Sequence, residues 1–327
     1  MQLHDQANHD GGPVPLRVTC RACPPDPLAR FRFAGDDPRD GDLLTDQRWL
    51  GGDCGHECWD AGAPVARGTT DDIAWAATDE LLLLSFAATN HDADDPAAVT
   101  EDAYRRLIGF AREAGYPWLL RLWNFIPQIN RGEGDGERYR RFCLGRNVAL
   151  EEAGIAQSEL CAATAVGTHG KRLLIHMLAG RRRGVPVENP RQVAAYHYPR
   201  IYGPRSPSFA RALGLPLADG GQALFVSGTA SIVGHRTLHP GEVMPQVDET
   251  LLNLEALLGA AAERLGKPDL AGFNGDSLLR VYLRHPEHWD AVAERIRSTW
   301  PSALLAGLEA DICRSDLCVE IEAFHRA

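Results

Sequence analysis

Two glutamates near the C-terminus, Glu320 and Glu322 in the word VEIEAF, lie two positions apart. In a strand that spacing puts both side chains on one face and Ile321 on the other. A carboxyl group can deliver a proton near neutral pH if burial or a nearby negative charge raises its pKa. Left in water, the same pair only keeps a terminal edge strand from pairing, the commoner fate of an isolated VEIE. Periodicity alone does not say which glutamate would be the acid.

Arginines are the second group. The formal net charge is −10, so an anionic ligand needs a positive pocket built against the average field, and where the arginines stand matters more than their number. Guanidinium groups match a carboxylate edge with paired hydrogen bonds that lysine cannot provide. Candidates gather in two words: Arg138, Tyr139 and Arg146 in GERYRRFCLGR, and Tyr198, Tyr202 and Arg205 in HYPRIYGPRSPSFARA. Arg138, Arg140 and Arg141 fit equally well a solvated helix face paired with Glu133 and Glu137. Arg205, in a Gly-Pro-Arg-Ser-Pro loop, fits a structural hydrogen-bonding role as well.

Sulfur and imidazole offer rival chemistry. Cys20 and Cys23, with Cys54 and Cys58 and with His56 between the second pair, have near zinc-ligand spacing, and a structural zinc there competes with plain thiols. The N-terminus lacks a basic start and an apolar stretch, so a reducing cytoplasm with mostly free thiols is expected. His235 and His239 lie four apart, but Pro240-Gly241 makes the segment a loop and argues against a metal pair. Cys313 taken alone reads as core filler. There is no G-x-S-x-G elbow and no Walker A loop, and GEGDGER is too acidic to cradle a pyrophosphate, so neither cofactor nor metal is expected at the site. The acidic balance argues against nucleic acid, and no apolar run is long enough for a bilayer, so a soluble protein is expected.

These residues must be held by elements that the hydrophobic pattern reveals. With 327 residues, two domains are expected. The order strand, helix, strand occurs twice. Residues 81–86 are followed by a helix after Thr100 that buries Ala103, Leu107, Phe110, Ala111 and Ala114 and stops at Gly115; residues 119–125 then form a strand. Residues 223–228 are followed by a helix from near Asp248 through Leu251, Leu254, Leu258, Ala261, Ala262 and Leu265 to Gly266, and then by the strand 278–283. One apolar stripe on each helix predicts packing on a sheet. Further helices are predicted over 137–153 and 288–299. Residues 160–180 read as two strands joined at His169-Gly170 that open the second half. The expected division is therefore 1–155 and 156–327, with an irregular stretch over residues 1–70 whose first dozen residues are disordered.

From about residue 190 the chain resembles the RidA (YjgF) family, in LFVSGTASI at 224–232, QVDETLLNLEALL at 246–258, LLRVYL at 278–283 and VEIEAF at 319–324. Over nearly its whole length it resembles the chorismatase family more closely. The matching words are RLWNFIPQIN at 121–130, GERYRRFCLGR at 136–146, HYPRIYGPRSPSFARA at 197–212, SGTASIVGHRTLHPGEV at 227–243 and ADICRSDLCVEIE at 310–322. The resemblance implies an α+β fold of two fused RidA/YjgF-like domains, each a mixed sheet with helices on one face, the first degenerate and the second carrying the acid. It implies loss of the enolpyruvyl group of chorismate as pyruvate, leaving 3-hydroxybenzoate, with 4-hydroxybenzoate as a further product.

Within that reading Glu320 protonates the enolpyruvyl methylene carbon. Arg146 and Arg205 clamp the carboxylates, Tyr198 holds a ring hydroxyl or carboxylate, and Arg138, Tyr139, Tyr202 and Arg314 complete the binding set. Gly228 and Cys313 are the small residues that steer the product towards 3-hydroxybenzoate. Alternatives are a hydrolytic relative releasing a dihydrodiol, a non-catalytic carboxylate-binding module, and an imine deaminase. Chorismate is the expected partner. The fused units imply a monomer, since one chain supplies part of the interface that RidA proteins form between subunits.

Overall fold

The computed structural model describes residues 14–33, 41–88 and 95–327; the first dozen residues, expected to be disordered, lie outside the described residues. The first helix runs Pro96–Glu113, one turn earlier than its apolar stripe suggests. Asp95 caps it by accepting from the Ala97 N–H at 3.1 Å, and Pro96 occupies the first helical position, where no N–H is needed. Thr100 sits inside the helix, its hydroxyl donating back to the Pro96 carbonyl at 2.7 Å. The corresponding helix of the second half, Val243–Leu265, also begins about a turn early and ends on Gly266, whose φ of 63° is the left-handed conformation that glycine adopts without steric cost. The helices Arg138–Glu152 and Trp289–Thr299 form within a residue or so of expectation.

The helices lie on two mixed sheets. The first has six strands in the order Ala162–Thr168, Trp118–Pro127, Leu173–Gly180, Leu81–Ala88, Ile73–Ala77 and Ala66–Thr70. The second has seven: Val185–Val187, Ala212–Pro216, Gln222–Ala230, Val319–Arg326, Leu278–Leu283, Leu304–Glu309 and Arg48–Gly52. This is the α+β architecture that the resemblance implied. Alternation along the closing strand does the positioning. Val319, Ile321 and Ala323 pack under the helices Val243–Leu265 and Trp289–Thr299, whereas Phe324 joins the core shared with the first half. Glu320 and Glu322, of the same parity as Phe324, therefore point between the two halves, where both are buried.

Two expectations are corrected. The strands Ala162–Thr168 and Leu173–Gly180 do not open the second half. The latter pairs on both sides within the first sheet, with Leu81–Ala88 and Trp118–Pro127, so the first sheet is complete only at Gly180 and a boundary near 155 would cut through it. The stretch before residue 70 is also more regular than its composition suggests. It holds a four-stranded sheet ordered Arg17–Thr19, His56–Asp60, Ala29–Arg32 and Asp42–Leu44, and it lends Arg48–Gly52 to the far edge of the second sheet. Strands of three to five residues are too short for alternation to show.

The four N-terminal cysteines are neither thiols nor a zinc set. They form disulfides Cys20–Cys54 and Cys23–Cys58, with Cα atoms 5.3 and 5.4 Å apart, while Cys143, Cys161, Cys313 and Cys318 are free. Each disulfide closes a loop of some thirty-five residues on a small sheet. Replacing either pair by serine is expected to lower the unfolding free energy by about 2–4 kcal/mol, read by urea denaturation with and without reductant. No helix among the described residues is long and apolar enough to cross a membrane.

Candidate active site

The edge of the first sheet meets the second through backbone-directed hydroxyls. Ser227 Oγ accepts the Ala163 N–H at 2.9 Å and donates to the Ala210 carbonyl at 2.6 Å, and the Gly228 N–H donates to Thr164 Oγ1 at 3.1 Å. Between Ala162–Thr168, Gln222–Ala230, Val319–Arg326 and the helix Arg138–Glu152 this junction leaves a cleft of about 260 Å³. A connector bearing two short 3₁₀ turns, Ala195–His197 and Arg200–Tyr202, forms its outer wall.

Glu320 lines the cleft with 4% of its surface exposed. Burial, first, and the charge of Glu322, second, push its carboxyl up to about 8, against the pull of Arg121 and Arg211. Glu322 does different work. It accepts from Arg121 Nη2 at 2.6 Å and Trp123 Nε1 at 3.0 Å and lies 3.1 Å from Arg280 Nη1, so it is a paired structural carboxylate. What each carboxyl touches separates the two glutamates that strand periodicity leaves equivalent. Among the described residues Glu188 is the other carboxyl raised towards neutrality, to about 7 by burial, and it does not line the cleft.

Gly228 stands at the register irregularity between Val226 and Thr229, opposite the closing strand. A Cβ there would fall 1.9 Å from Glu320 Oε1 and 2.7 Å from its Cδ. The close approach that requires glycine is thus made by the Glu320 carboxyl. Cys313 is half-buried at the same end of the cleft; burial and the neighbouring Glu320 both raise its thiol pKa, so it presents a neutral S–H wall.

The arginines divide. Arg146 lines the cleft at 1% exposure, with its Nε and Nη2 meeting no partner and its guanidinium 5.1 Å from the Phe142 ring. A buried guanidinium with unused donors is a strong site for an anion. Arg314 lies at the mouth, 3.9 Å over the Tyr202 ring, and donates to the His235 carbonyl at 3.0 Å and Thr237 Oγ1 at 3.2 Å. Tyr139, Tyr198 and Tyr202 also line the cleft, Tyr202 with its hydroxyl 3.2 Å from His235 Nδ1.

Two expected binding residues are elsewhere. Arg138 is buried under the helix start, donating to the Pro127 carbonyl at 2.9 Å, where it holds the turn after the Trp118–Pro127 strand. Arg205 is exposed and pairs with Glu151 at 3.2 Å, facing a separate surface groove, because in this extended loop Pro207 and Phe209 take the cleft side. The residue that sequence reasoning missed is Arg211, six positions on in the same word. At 3% exposure it lines the cleft, donates to Tyr198 Oη at 2.7 Å, and lies over the rings of Phe209 and Tyr198. No spacing marks it out.

A neutral carboxylic acid facing two buried guanidiniums and a tyrosine-lined wall can bind a small dianion and protonate it. Residues 57–179 match the family described as "Chorismatase FkbO/Hyg5-like, N-terminal". A protein of Streptomyces hygroscopicus named chorismatase is 41% identical over 275 residues, covering 81% of this chain and 78% of that one. Another from the same organism, named 3-hydroxybenzoate synthase, is 40% identical over 81% of this chain and 80% of its own length. A crystal structure of a chorismatase superposes with a TM-score of 0.79 at 34% identity, spanning 95% of this chain and 97% of the other.

Proposed function

The chain belongs to the chorismatase family, and from that premise and the cleft's geometry we propose that it converts chorismate to 3-hydroxybenzoate and pyruvate with Glu320 as the proton donor. The observation that carries this is the neutral, buried carboxyl of Glu320 opening into the same cleft as the guanidinium of Arg146, whose Nε and Nη2 have no partner. Chorismate is a dicarboxylate with a vinyl ether. Arg146 takes one carboxylate and Arg211, braced by Tyr198, takes the other. Arg211 replaces Arg205 in the clamp because only Arg211 reaches the cleft.

Protonation of the enolpyruvyl methylene carbon turns the vinyl ether into an oxocarbenium cation, which the ring's own 4-hydroxyl captures with loss of its proton to give a cyclic ketal. The ring then loses the C3 hydrogen as a proton and its C4–O bond to become aromatic, the C3 oxygen leaves the ketal carbon as the phenol, and the former 4-oxygen departs as the keto oxygen of pyruvate. Glu320, now a carboxylate, stabilises the cation and takes a proton back as the cycle closes. The atoms of chorismate divide without remainder between the two products, so proton donation and return suffice. A monomer is the proposed working unit, testable by sedimentation.

Gly228 and Cys313 stand beside the acid and are the residues that set where the oxygen attacks. Gly228→Ala forces the Glu320 carboxyl aside, and a shift of about 1 Å at a reacting group costs up to about a hundredfold in kcat. We expect that loss with little change in KM and a changed product ratio, read by steady-state kinetics and product chromatography. The primary test mixes the pure protein with chorismate alone and follows pyruvate and the aromatic product by NMR. Tight binding of chorismate without pyruvate would overturn the reading.

A further inference from the structure

Behind the cleft, four buried charged side chains form a single line. Glu57 accepts from Arg280 Nε and Nη2 at 2.8 and 2.9 Å. Arg280 Nη1 lies 3.1 Å from Glu322 Oε1, and the other Glu322 oxygen accepts from Arg121 Nη2 at 2.6 Å. The same Nη2 reaches Thr164 Oγ1 at 2.6 Å, and that hydroxyl oxygen also accepts the Gly228 N–H, against which the Glu320 carboxyl rests. All four charged side chains are at most 3% exposed. Buried charges persist only when paired, so the sum over the line matters, and two guanidiniums against two carboxylates make it neutral. No cation is left over for a third carboxylate. Glu320 is the third carboxyl, and among the described residues no ion pair holds it.

We propose that Glu57 is a positioning residue that keeps Arg280, and through Glu322 also Arg121, committed elsewhere, so that Glu320 retains its proton. This deepens the reading of Glu320 as the acid and rests on it for its catalytic meaning. Glu57 does not line the cleft. It enters on His56–Asp60, a strand of the N-terminal sheet that contains the disulfide-bonded Cys58 and follows the disulfide-bonded Cys54, and Trp59 donates an indole N–H to it.

The groups that face Glu320 leave the line a decisive part. Along its own strand stands Glu322, which resists ionisation of Glu320. Across the ladder is Tyr282, in register on Leu278–Leu283 and neutral through burial, and Cys313 from the preceding turn is neutral for the same reason. Arg211, immediately before the strand Ala212–Pro216, and Arg121, on Trp118–Pro127, favour ionisation. The guanidinium of Arg211 donates to neutral oxygens, Tyr198 Oη and the Val193 carbonyl, while Glu188, raised towards neutrality by burial, accepts its backbone N–H. Whether Arg121 adds its full charge to that of Arg211 is decided by Glu322, and Glu322 is shared with Arg280 according to how firmly Glu57 holds the latter.

The test reads the Glu320 carboxyl directly, from its ¹³C resonance in glutamate-labelled protein, assigned by its loss in Glu320→Gln, so it does not depend on turnover. Glu57→Gln keeps an acceptor for Arg280 but leaves the line with one surplus positive charge; the Glu320 midpoint is expected to fall by about one unit. The alkaline limb of kcat should fall with it, so that activity at pH 8 relative to pH 6 drops several-fold to about tenfold. Arg280→Gln leaves one surplus negative charge and should move midpoint and limb upward, so either variant tests the idea if the other fails to fold. The double variant, neutral again, should return both to near the parental values, and Glu57→Asp should hold them there. Midpoints that stay put, or that move the same way in the two single variants, overturn the role of Glu57 and leave Glu320 as the acid. Opposite shifts in the carboxyl resonance, in a protein whose Glu320→Gln variant still turns over, support the coupling and overturn the catalytic reading.

Discussion

Glu320→Gln is expected to fold, to bind chorismate and to release pyruvate at least about a thousandfold more slowly than the parent, within the range that loss of a positioned general acid produces. The amide keeps the shape that the Gly228 notch accommodates but has no acidic proton to place on carbon. Two further readings separate this outcome from simple damage. The parent should be most active where Glu320 is protonated, with activity lost as pH rises through about 8, and the variant's residual rate should lack that limb. The substitution should raise stability where it lowers activity. A buried carboxyl raised from 4.5 to about 8 binds its proton more tightly in the folded chain, so its contribution is fully present below about 4.5 and is lost as pH rises through about 8. At pH 8 the variant, which has no ionisable group to bury, should exceed the parent by about 2 kcal/mol or more in unfolding free energy, and the gap should close towards pH 5. A variant that keeps near-parental turnover would remove Glu320 from the chemistry.

The halves of this protein differ in how far they can be read without a structure. The helices Pro96–Glu113 and Val243–Leu265 each carry a long apolar stripe and a glycine stop, and both are legible; their starts are not, because Asp95 and the turn before Asp248 lie outside the stripe. The strands Ala162–Thr168 and Leu173–Gly180 are legible as strands but not as members of the first sheet, since their pairing with Trp118–Pro127, parallel for the first and antiparallel for the second, is a long-range choice that local pattern does not encode. The same limit governs the site. Glu320 and Glu322 are equivalent by periodicity and are distinguished by Arg121, Trp123 and Arg280, which come from two other strands. Arg205 and Arg211 stand in one word, and only the path of an irregular connector decides that the second faces inwards.

One consequence of burying Arg146 is a pair of opposite effects in a single variant. With Nε and Nη2 unpartnered and 1% of the residue exposed, the free protein bears the cost of a desolvated cation that the ligand's carboxylate would offset. Arg146→Met fills similar space without charge. Removing one partner of a buried, hydrogen-bonded charge pair costs about 2–5 kcal/mol, so kcat/KM for chorismate should fall by about thirtyfold to several thousandfold, mostly through KM. The ligand-free variant should be more stable than the parent by about 1–4 kcal/mol, as when buried ionic groups are replaced by apolar ones of like volume. Arg146→Lys should not rescue binding, because an ammonium cannot present the two parallel donors that a carboxylate edge accepts. Calorimetric titration with chorismate in the Glu320→Gln background, where turnover no longer intervenes, and thermal unfolding of the ligand-free chains read the two effects separately. Equal affinity with and without the guanidinium, or a variant less stable than its parent, would mean that Arg146 is a strut of the helix Arg138–Glu152 and that the anion binds elsewhere in the cleft.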